Sequence, residues 1–418
     1  MRPASVAETV QPPRLVAPRR LLPRGAKALV SLDAHLAEHG PLPTSALLRS
    51  SFVGELARSG LTGRGGAGFP TARKFESVAR AGRERVVLVN ATESEPLAEK
   101  DRLLCRVAPH LVLDGAEVAA ETIGASSIVV VAHAHCLEAL RGASAARAGR
   151  VPFTGSCTVE RAAPGFVGGE ESALVNWLNN GKALPMSKPP RPFERGISGL
   201  PTLVLNAETT ANLALIARHG AKWFRAAGTV EEPGTLLLTV RGAVARPGVY
   251  EVPLGTSIAD LLELAGEAPP GTPLLVGGYF GAFLCRGARA AAFSREGLAP
   301  HGASTGAGVV QVLGEEECGL MIASAILRYL AGQSAGQCGP CRFGLDSLAG
   351  EFERLTAGDT RASRAQLSSW ADQITGRGAC SHPDGTVNLL RSALKVFSEE
   401  IDRHAAGHCV AASPGSCR

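Results

Sequence analysis

Lysine is scarce in this 418-residue chain, aromatic residues make up 5% of it, and charged residues only 19%. The positive charge is therefore nearly all arginine, and each lysine beside a glycine or acidic motif (Lys74, Lys100, Lys188) carries more information than usual. No apolar run approaches the ~20 residues that span a bilayer. The first 25 residues, rich in Pro and Arg, have no apolar centre of the kind a secretory signal needs. A net charge of +5, with the basic residues scattered, gives nucleic-acid binding little support. With 45% apolar residues, the chain reads as a soluble, cytoplasmic protein of two or three domains. Ten cysteines in such a compartment do not make a disulfide framework.

Glycine, by contrast, is concentrated where it matters. The stretch G-R-G-G-A-G-F-P-T-A-R-K begins at Gly63 and places Gly63, Gly65, Gly66 and Gly68 ahead of Pro70 and a helical run. Glycines let backbone amides turn onto an anion without interference from Cβ. Pro70 suits the start of a helix, whose N-terminus favours phosphate. Gly63, Gly65 and Gly68 also satisfy G-x-G-x-x-G, but that fingerprint should follow a strand. Here residues 29–60 carry helical periodicity up to Gly60, so the pattern predicts a phosphate or cofactor loop rather than a standard dinucleotide site.

Buried strands are predicted at 85–90 and 128–131 and a further one from 203, alternating with helices, which argues for a mostly parallel sheet. Ligands of such sheets sit at the carboxyl ends of strands. That places Asn90, Glu93 and Glu95 (A-T-E-S-E-P) and the cluster Asn206 to Thr209 well; a solvated acidic turn is the plainer alternative. G-G-E-E at 168–171 sets Glu170 and Glu171 at a helix start, either as a site or as partners of the helix dipole. His133 and His135 alternate at a strand end without a third ligand. Cys105, Cys136 and Cys157 read as isolated small apolar residues. From Pro233 the composition changes: 236–252 forms a hairpin turning at R-P-G. A helix capped by Ser257 and Asp260 follows, and short strands up to about 288 suggest a ubiquitin-like β-grasp module. After about 315 the chain is helical. There Q-C-G-P-C-R (337–342) and C-S-H-P (380–383) offer Cys338, Cys341 and Cys380, three soft ligands suited to zinc or iron–sulfur. The spacing of Cys285, Cys318, Cys409 and Cys417 assigns them nothing.

Six collinear motifs, from G-R-G-G-A-G-F-P-T through N-A-T-E-S-E-P, G-G-E-E-S-A-L, S-K-P-P and N-A-E-T to the cysteines, resemble the NADH-binding flavoprotein subunit of respiratory complex I. The resemblance extends to related NAD-linked formate dehydrogenase and hydrogenase subunits. Residues 1–28 read as a flexible tail; the resemblance, which runs from about residue 50 to about 400, implies an α/β Rossmann-like FMN-binding domain (29–232) after it. A β-grasp, SLBB-like domain (233–314) and a C-terminal helical bundle with a 4Fe–4S cluster (315–418) would follow. It further implies that Gly63, Arg64, Gly65, Gly66 and Lys74 hold the FMN phosphate and ribityl groups, and that Asn90, Glu93, Gly169, Glu170, Asn206 and Thr209 line the flavin. Phe69, Glu95, Glu171 and Lys188 would lie towards NADH or NADPH, with Glu95 and Glu171 as the catalytic candidates. Electrons would leave through a cluster on Cys338, Cys341 and Cys380 to a ferredoxin-like iron–sulfur partner subunit or a quinone-linked complex.

Several positions depart from that pattern. The first cluster cysteine is Ala335, which leaves open a foreign ligand (Cys318, Ser334 or solvent), a three-iron form or no cluster. A flavin-site Asp is Thr92, the turn after Pro96 has lost its glycine, and the base-stacking aromatics are Ser77 and Arg191. A scaffold or docking subunit that keeps the fold is therefore the alternative, and a zinc-stabilised binding protein a third.

Overall fold

The computed structural model describes residues 19–23, 28, 30–82, 84–151, 153–266, 268–269 and 271–409. Most of the expected tail, and Cys417, lie outside them.

Helices α1 (Leu32–His39), α2 (Ser45–Ser59) and α3 (Thr71–Arg80) precede strand β1 (Val86–Ala91). Then come α4 (Lys100–Val107), α5 (Pro109–Ile123), β2 (Ser127–Ala132), α6 (Ala134–Arg147), β3 (Ser156–Arg161), α7 (Glu171–Asn180), β4 (Thr202–Asn206) and α8 (Ala207–Arg225). The four strands form an all-parallel sheet in the order β3-β2-β1-β4. Their apolar runs are buried on both faces: Val87 and Val89 pack with α2, α5 and α8, while Leu88 packs with Leu174 and Val175 of α7. Helices α5 and α8 approach so closely at Gly115 that an added Cβ would sit 1.7 Å from the Thr210 carbonyl oxygen. Strand β3 is an edge strand with one strongly buried residue, and its alternating polar sequence hides it from an apolar-run search.

A second sheet follows, built from β5 (Thr235–Gly242), β6 (Gly248–Pro253), β7 (Leu274–Val276), β8 (Ala282–Leu284) and β9 (Val309–Val312) in the order β6-β5-β9-β7-β8. β5 and β6 are the antiparallel hairpin expected at R-P-G, and β5 pairs with β9 in parallel. One face packs on α9 (Ile258–Leu264), whose N-cap Ser257 accepts from the Asp260 amide at 3.1 Å. The short α10 (Arg295–Leu298) lies before β9. Leu275 and Phe283 on the opposite face join the core of the C-terminal helices. These are α11 (Gly319–Gly332), α12 (Leu345–Thr356), α13 (Arg364–Ile374), α14 (His382–Val396) and α15 (Ser398–Ala405). A π-helical turn, Pro340–Gly344, leads into α12.

Part of the stretch expected as a tail is docked. The amides of Arg20, Leu21 and Leu22 donate to the buried Glu251 carboxylate at 2.9–3.1 Å, and Leu21 is 1% exposed. A buried carboxylate must find donors, and β6 finds them in the chain's own start. No described helix is long and apolar enough to cross a membrane.

Candidate functional site at the strand switch

The parallel sheet runs outward from β1 to β2 and β3, then returns to place β4 on the other side of β1. Strand order thus reverses between β1 and β4, where open α/β sheets hold their ligands. Asn90 and Asn206 are register partners at that point. The glycine loop hangs over it: an added Cβ at Gly65 would stand 3.3 Å from Asn206 Cβ, and one at Gly66 (φ +102°) 3.4 Å from the Gly306 carbonyl oxygen. Two bonds close the loop at its neck, Gly63 N to Phe69 O and Thr71 N to Leu61 O, each 2.9 Å. The amides of Gly65, Gly66 and Ala67 donate to no acceptor among the described residues. Phe69 at the loop's far end is 44% exposed.

Arg64 does not face that opening with its charge. Its guanidinium is buried and donates to Thr62 Oγ1 (3.1 Å) and the Pro233 carbonyl (3.0 Å), while its amide donates to Thr209 Oγ1 (2.8 Å). The arginine anchors the loop from below, which sequence spacing cannot distinguish from a ligand contact. Lys74 reaches the Val204 carbonyl at 3.1 Å and Glu171 at 3.3 Å, joining α3 to the middle of β4 and the start of α7.

Three of the polar turns prove to be helix caps. Glu93, a non-glycine residue with φ +36°, accepts from the Asp101 and Arg102 amides at the start of α4. Burial and the adjacent Asp101 raise its pKa. Glu170 accepts from the amides of Ser172 and Ala173, and Lys188 donates to it at 2.7 Å. Burial works to raise Glu170, but Lys188 and Ser172 hold it below the usual carboxylate range. Asn206 caps α8 through Oδ1 and donates from Nδ2 to Asp101 at 2.6 Å. Asn90 donates to the Gly169 carbonyl at 2.9 Å, and its Oδ1 accepts from Thr92. Gly169 is required there, because a Cβ would meet Ser94 Oγ at 2.5 Å and Thr92 Oγ1 at 2.8 Å.

Glu95 is bound to the second sheet. Its carboxylate accepts from the Tyr279 amide at 2.9 Å, and burial pushes its pKa up to about 7. Under the rim lies an ion cluster that the motifs contain but do not reveal: buried Lys100 donates to Asp101 (2.9 Å) and Glu208 (2.8 Å). Glu208 in turn accepts from the Leu237 amide of β5 at 2.9 Å. Arg295 closes the other flank by donating to the Ala67 carbonyl at 3.0 Å. Lys100 and Glu208 are 108 residues apart, and Arg295 and Ala67 228, so no local signal could have paired them. Ser77 donates back to the Arg73 carbonyl at 2.8 Å and Arg191 is exposed. His133 and His135 stack loosely, 6.0 Å apart, with Arg102 donating to His135 at 3.2 Å.

The cysteines divide into separate places. Cys338, Cys341 and Cys380 converge beside Glu170 and Lys188. Burial alone would raise the Cys338 thiol, but the amides of Ala379 and Cys341 more than offset it. Cys341 is raised by burial and by its thiol neighbour, although the Ala335 amide faces it. Amides aimed at sulfur are what an iron–sulfur site needs. Cys318 is not available as a further ligand there. It precedes α11, whose 14 residues span about 20 Å, whereas Cys338 lies beyond the other end. Ser334 is nearer, with its hydroxyl on the Cys341 carbonyl at 3.3 Å. Cys105 and Cys136 are not isolated: their buried thiols face one another beneath α4 and α6. Cys157 is only half-buried, on the edge strand.

Known proteins match this chain over most of its length. The Nuo51 FMN-binding domain matches residues 56–215, an SLBB domain residues 237–274, and the NADH-ubiquinone oxidoreductase-F iron-sulfur binding region residues 321–404. An NADH-quinone oxidoreductase subunit of Rhizobium meliloti is 33% identical over 83% of this chain and 86% of its own. The NADP-reducing hydrogenase subunit HndC of Solidesulfovibrio fructosivorans is 30% identical over 90% and 80%. Among solved structures, an NAD+-reducing NiFe hydrogenase in its H2-reduced state superposes with a TM-score of 0.81 at 30% identity. That match covers 88% of this chain, which spans 66% of the hydrogenase chain. The relatives are named as subunits of larger assemblies. An FMN-binding α/β domain, an SLBB domain and an iron–sulfur domain thus stand in one chain, and it belongs to the family of the NADH-oxidising, FMN- and iron–sulfur-binding flavoprotein subunit of NADH-quinone oxidoreductase.

Proposed function

We propose that this chain is a cytoplasmic FMN-dependent oxidoreductase subunit. It takes electrons from NADH or NADPH and passes them through an iron–sulfur cluster to a ferredoxin-like iron–sulfur partner or a quinone-linked complex. The observation that carries this reading is the glycine loop at the strand switch, with amides that no acceptor among the described residues takes up. Such a row of amides suits a phosphate. FMN, when bound, supplies the conversion between hydride and single-electron transfer.

The protein's part is to bind and orient. Gly65 and Gly66, with Ala67 beside them, offer backbone amides to the phosphate; Gly63, expected to share in this, instead gives its amide to Phe69 O and closes the neck, with Arg64 bracing the loop and Lys74 adding charge. Asn90, Glu93, Gly169, Glu170, Asn206 and Thr209 form the flavin rim. Phe69, Glu95, Glu171 and Lys188 border the nucleotide side. Glu95 is a carboxyl with a pKa of about 7, able to hold or release a proton near neutral pH. Cys338, Cys341 and Cys380 supply three cluster ligands, and Ala335 leaves the fourth to another donor. We take 29–232 as the FMN domain and 233–314 as a β-grasp domain, whose strand order and single packed helix suit that fold. Residues 315–418 are taken as a helical bundle.

The absorption spectrum of anaerobically prepared protein, before and after NADH, tests this together with flavin and iron analysis. Flavin bleaching by NADH or NADPH is expected. A colourless chain that takes up no FMN on reconstitution would refute it. Ala335 favours one other reading, a docking subunit that retains the fold; it predicts bound FMN that neither nucleotide bleaches.

A further inference from the structure

A second group of metal-binding side chains lies at the end of α11 remote from Cys338. Cys318 immediately precedes α11, His404 is in the last turn of α15, and Cys409 follows five residues later. One ligand atom from each lies within 4.8 Å of the others, with Cys318 and His404 buried and Cys409 half-buried.

Three features bear on what this place can hold. His404 Nδ1 lies 2.5 Å from the Thr356 carbonyl oxygen. A carbonyl only accepts, so Nδ1 carries the proton and Nε2 turns its lone pair toward Cys318 Sγ, 3.5 Å away. That tautomer, fixed by a backbone carbonyl, is how metal-ligating histidines are held. Cys318 stands at the N-terminus of a 14-residue helix, with the Met321 and Leu320 amides facing its sulfur. Burial raises this thiol, and those amides and the helix dipole work the other way, toward the thiolate. Finally, Glu400 sits one turn before His404 and interacts electrostatically with both Cys318 and His404. Its Oε2 is buried and has no hydrogen-bond partner among the described residues. A buried carboxylate oxygen left unpaired is costly unless a cation meets it.

We propose that Cys318, His404 and Cys409 bind one zinc ion, with Glu400 beside it to balance charge. Two thiolates and an imidazole are the donor set zinc prefers, and no redox change at the metal is needed. Cys409 is disulfide-bonded in this structure, so the ligand set is complete only after reduction. Two molecules of a small thiol give two electrons and two protons to that disulfide and leave as a disulfide of their own. Zinc then displaces the thiol protons of Cys318 and Cys409 to solvent. The ion would staple the segment after α15 to the start of α11, and only in the reduced chain. The proposal does not rest on the flavin reading.

The test uses the full chain carrying Cys338→Ser, Cys341→Ser and Cys380→Ser, which removes the other cysteine group. The protein is reduced with dithiothreitol, desalted without oxygen and titrated with Co2+, then with Zn2+. One cobalt per chain with a thiolate charge-transfer band, bleached by zinc, is expected, and the oxidised chain should bind none. Adding Cys409→Ser should weaken binding by at least roughly 10–100-fold, the loss that even an outer-shell partner causes. No cobalt band, or one unchanged by both Cys318→Ser and Cys409→Ser, would overturn the proposal. Should the triple variant not fold, zinc content is compared between the reduced wild-type chain and Cys409→Ser alone. A difference of one zinc per chain supports the site and equal content refutes it. Flavin content of the same wild-type sample reports separately on the proposed function.

Discussion

Asn90 and Asn206 stand side by side as the last pair of the β1–β4 ladder, and each spends its side-chain amide on a different neighbouring segment. Asn90 ties β1 to the Gly169 turn, while Asn206 caps α8 and ties β4 to Asp101 of α4. Four segments are thereby joined at the strand switch before any ligand arrives, which is the condition for a preorganised site.

Asn206→Ala removes the α8 cap and leaves the Asp101 carboxylate short of a donor. A lost cap costs about 1 kcal/mol, so the thermal midpoint should fall by a few degrees. FMN affinity, followed by quenching of flavin fluorescence, should fall roughly tenfold, equivalent to ~1.4 kcal/mol. An unchanged affinity would reduce Asn206 to a structural cap.

Glycine substitutions in the loop should separate by position. Gly66→Ala meets both an unfavourable φ of +102° and the Gly306 carbonyl, and Gly65→Ala crowds Asn206. Both should lower stability and abolish FMN retention. Gly63 has only ordinary contacts, the nearest being Phe69 O at 3.7 Å. Gly63→Ala should therefore leave the thermal midpoint close to that of wild type. Retained flavin in Gly65→Ala or Gly66→Ala would refute the loop's role.

The Lys100 cluster should behave as a buried ion set. Lys100→Met leaves Asp101 and Glu208 facing each other in a dry interior, a loss on the order of 3–5 kcal/mol. Lys100→Met combined with Glu208→Gln should cost less than the two single effects added together. Denaturant unfolding of the single and double variants measures this; strict additivity would mean the groups are not coupled.

Glu251 gives the pH dependence. Burial raises its pKa to about 7, although the Leu22 amide and Thr235 oppose the shift. Below about pH 4.5 the carboxyl is protonated both folded and unfolded. Between there and about pH 7 only the folded chain holds the proton, so stability declines as pH rises through that window. The part due to Glu251 is on the order of 3 kcal/mol. Glu251→Gln should flatten that portion of the curve of thermal midpoint against pH, and an unaltered slope would assign it to other groups.

Ala335→Cys adds a thiol at the residue whose amide already faces Cys341. Iron content after anaerobic reconstitution should rise toward the four of a closed cluster, with stronger cluster absorbance. No gain in iron would mean that the cavity no longer accommodates a fourth cysteine ligand.

Periodicity and turn chemistry make much of the fold legible without coordinates. The buried runs at β1, β2 and β4, the helix before the glycine loop, the R-P-G hairpin and the Ser257 cap are all local patterns, enforced by neighbours within a few residues. The polar edge strand β3 escaped because burial on an edge leaves little apolar signature. Partner choice over long distance was another matter. Only the folded chain turns Arg64 inward to Pro233, commits Glu95 to the Tyr279 amide, pairs Lys100 with Glu208 and sets Cys318 against His404 rather than Cys338. Residue spacing encodes backbone conformation and the chemistry a turn can offer; which side chains are spent on one another depends on which distant segments the packed cores bring into contact.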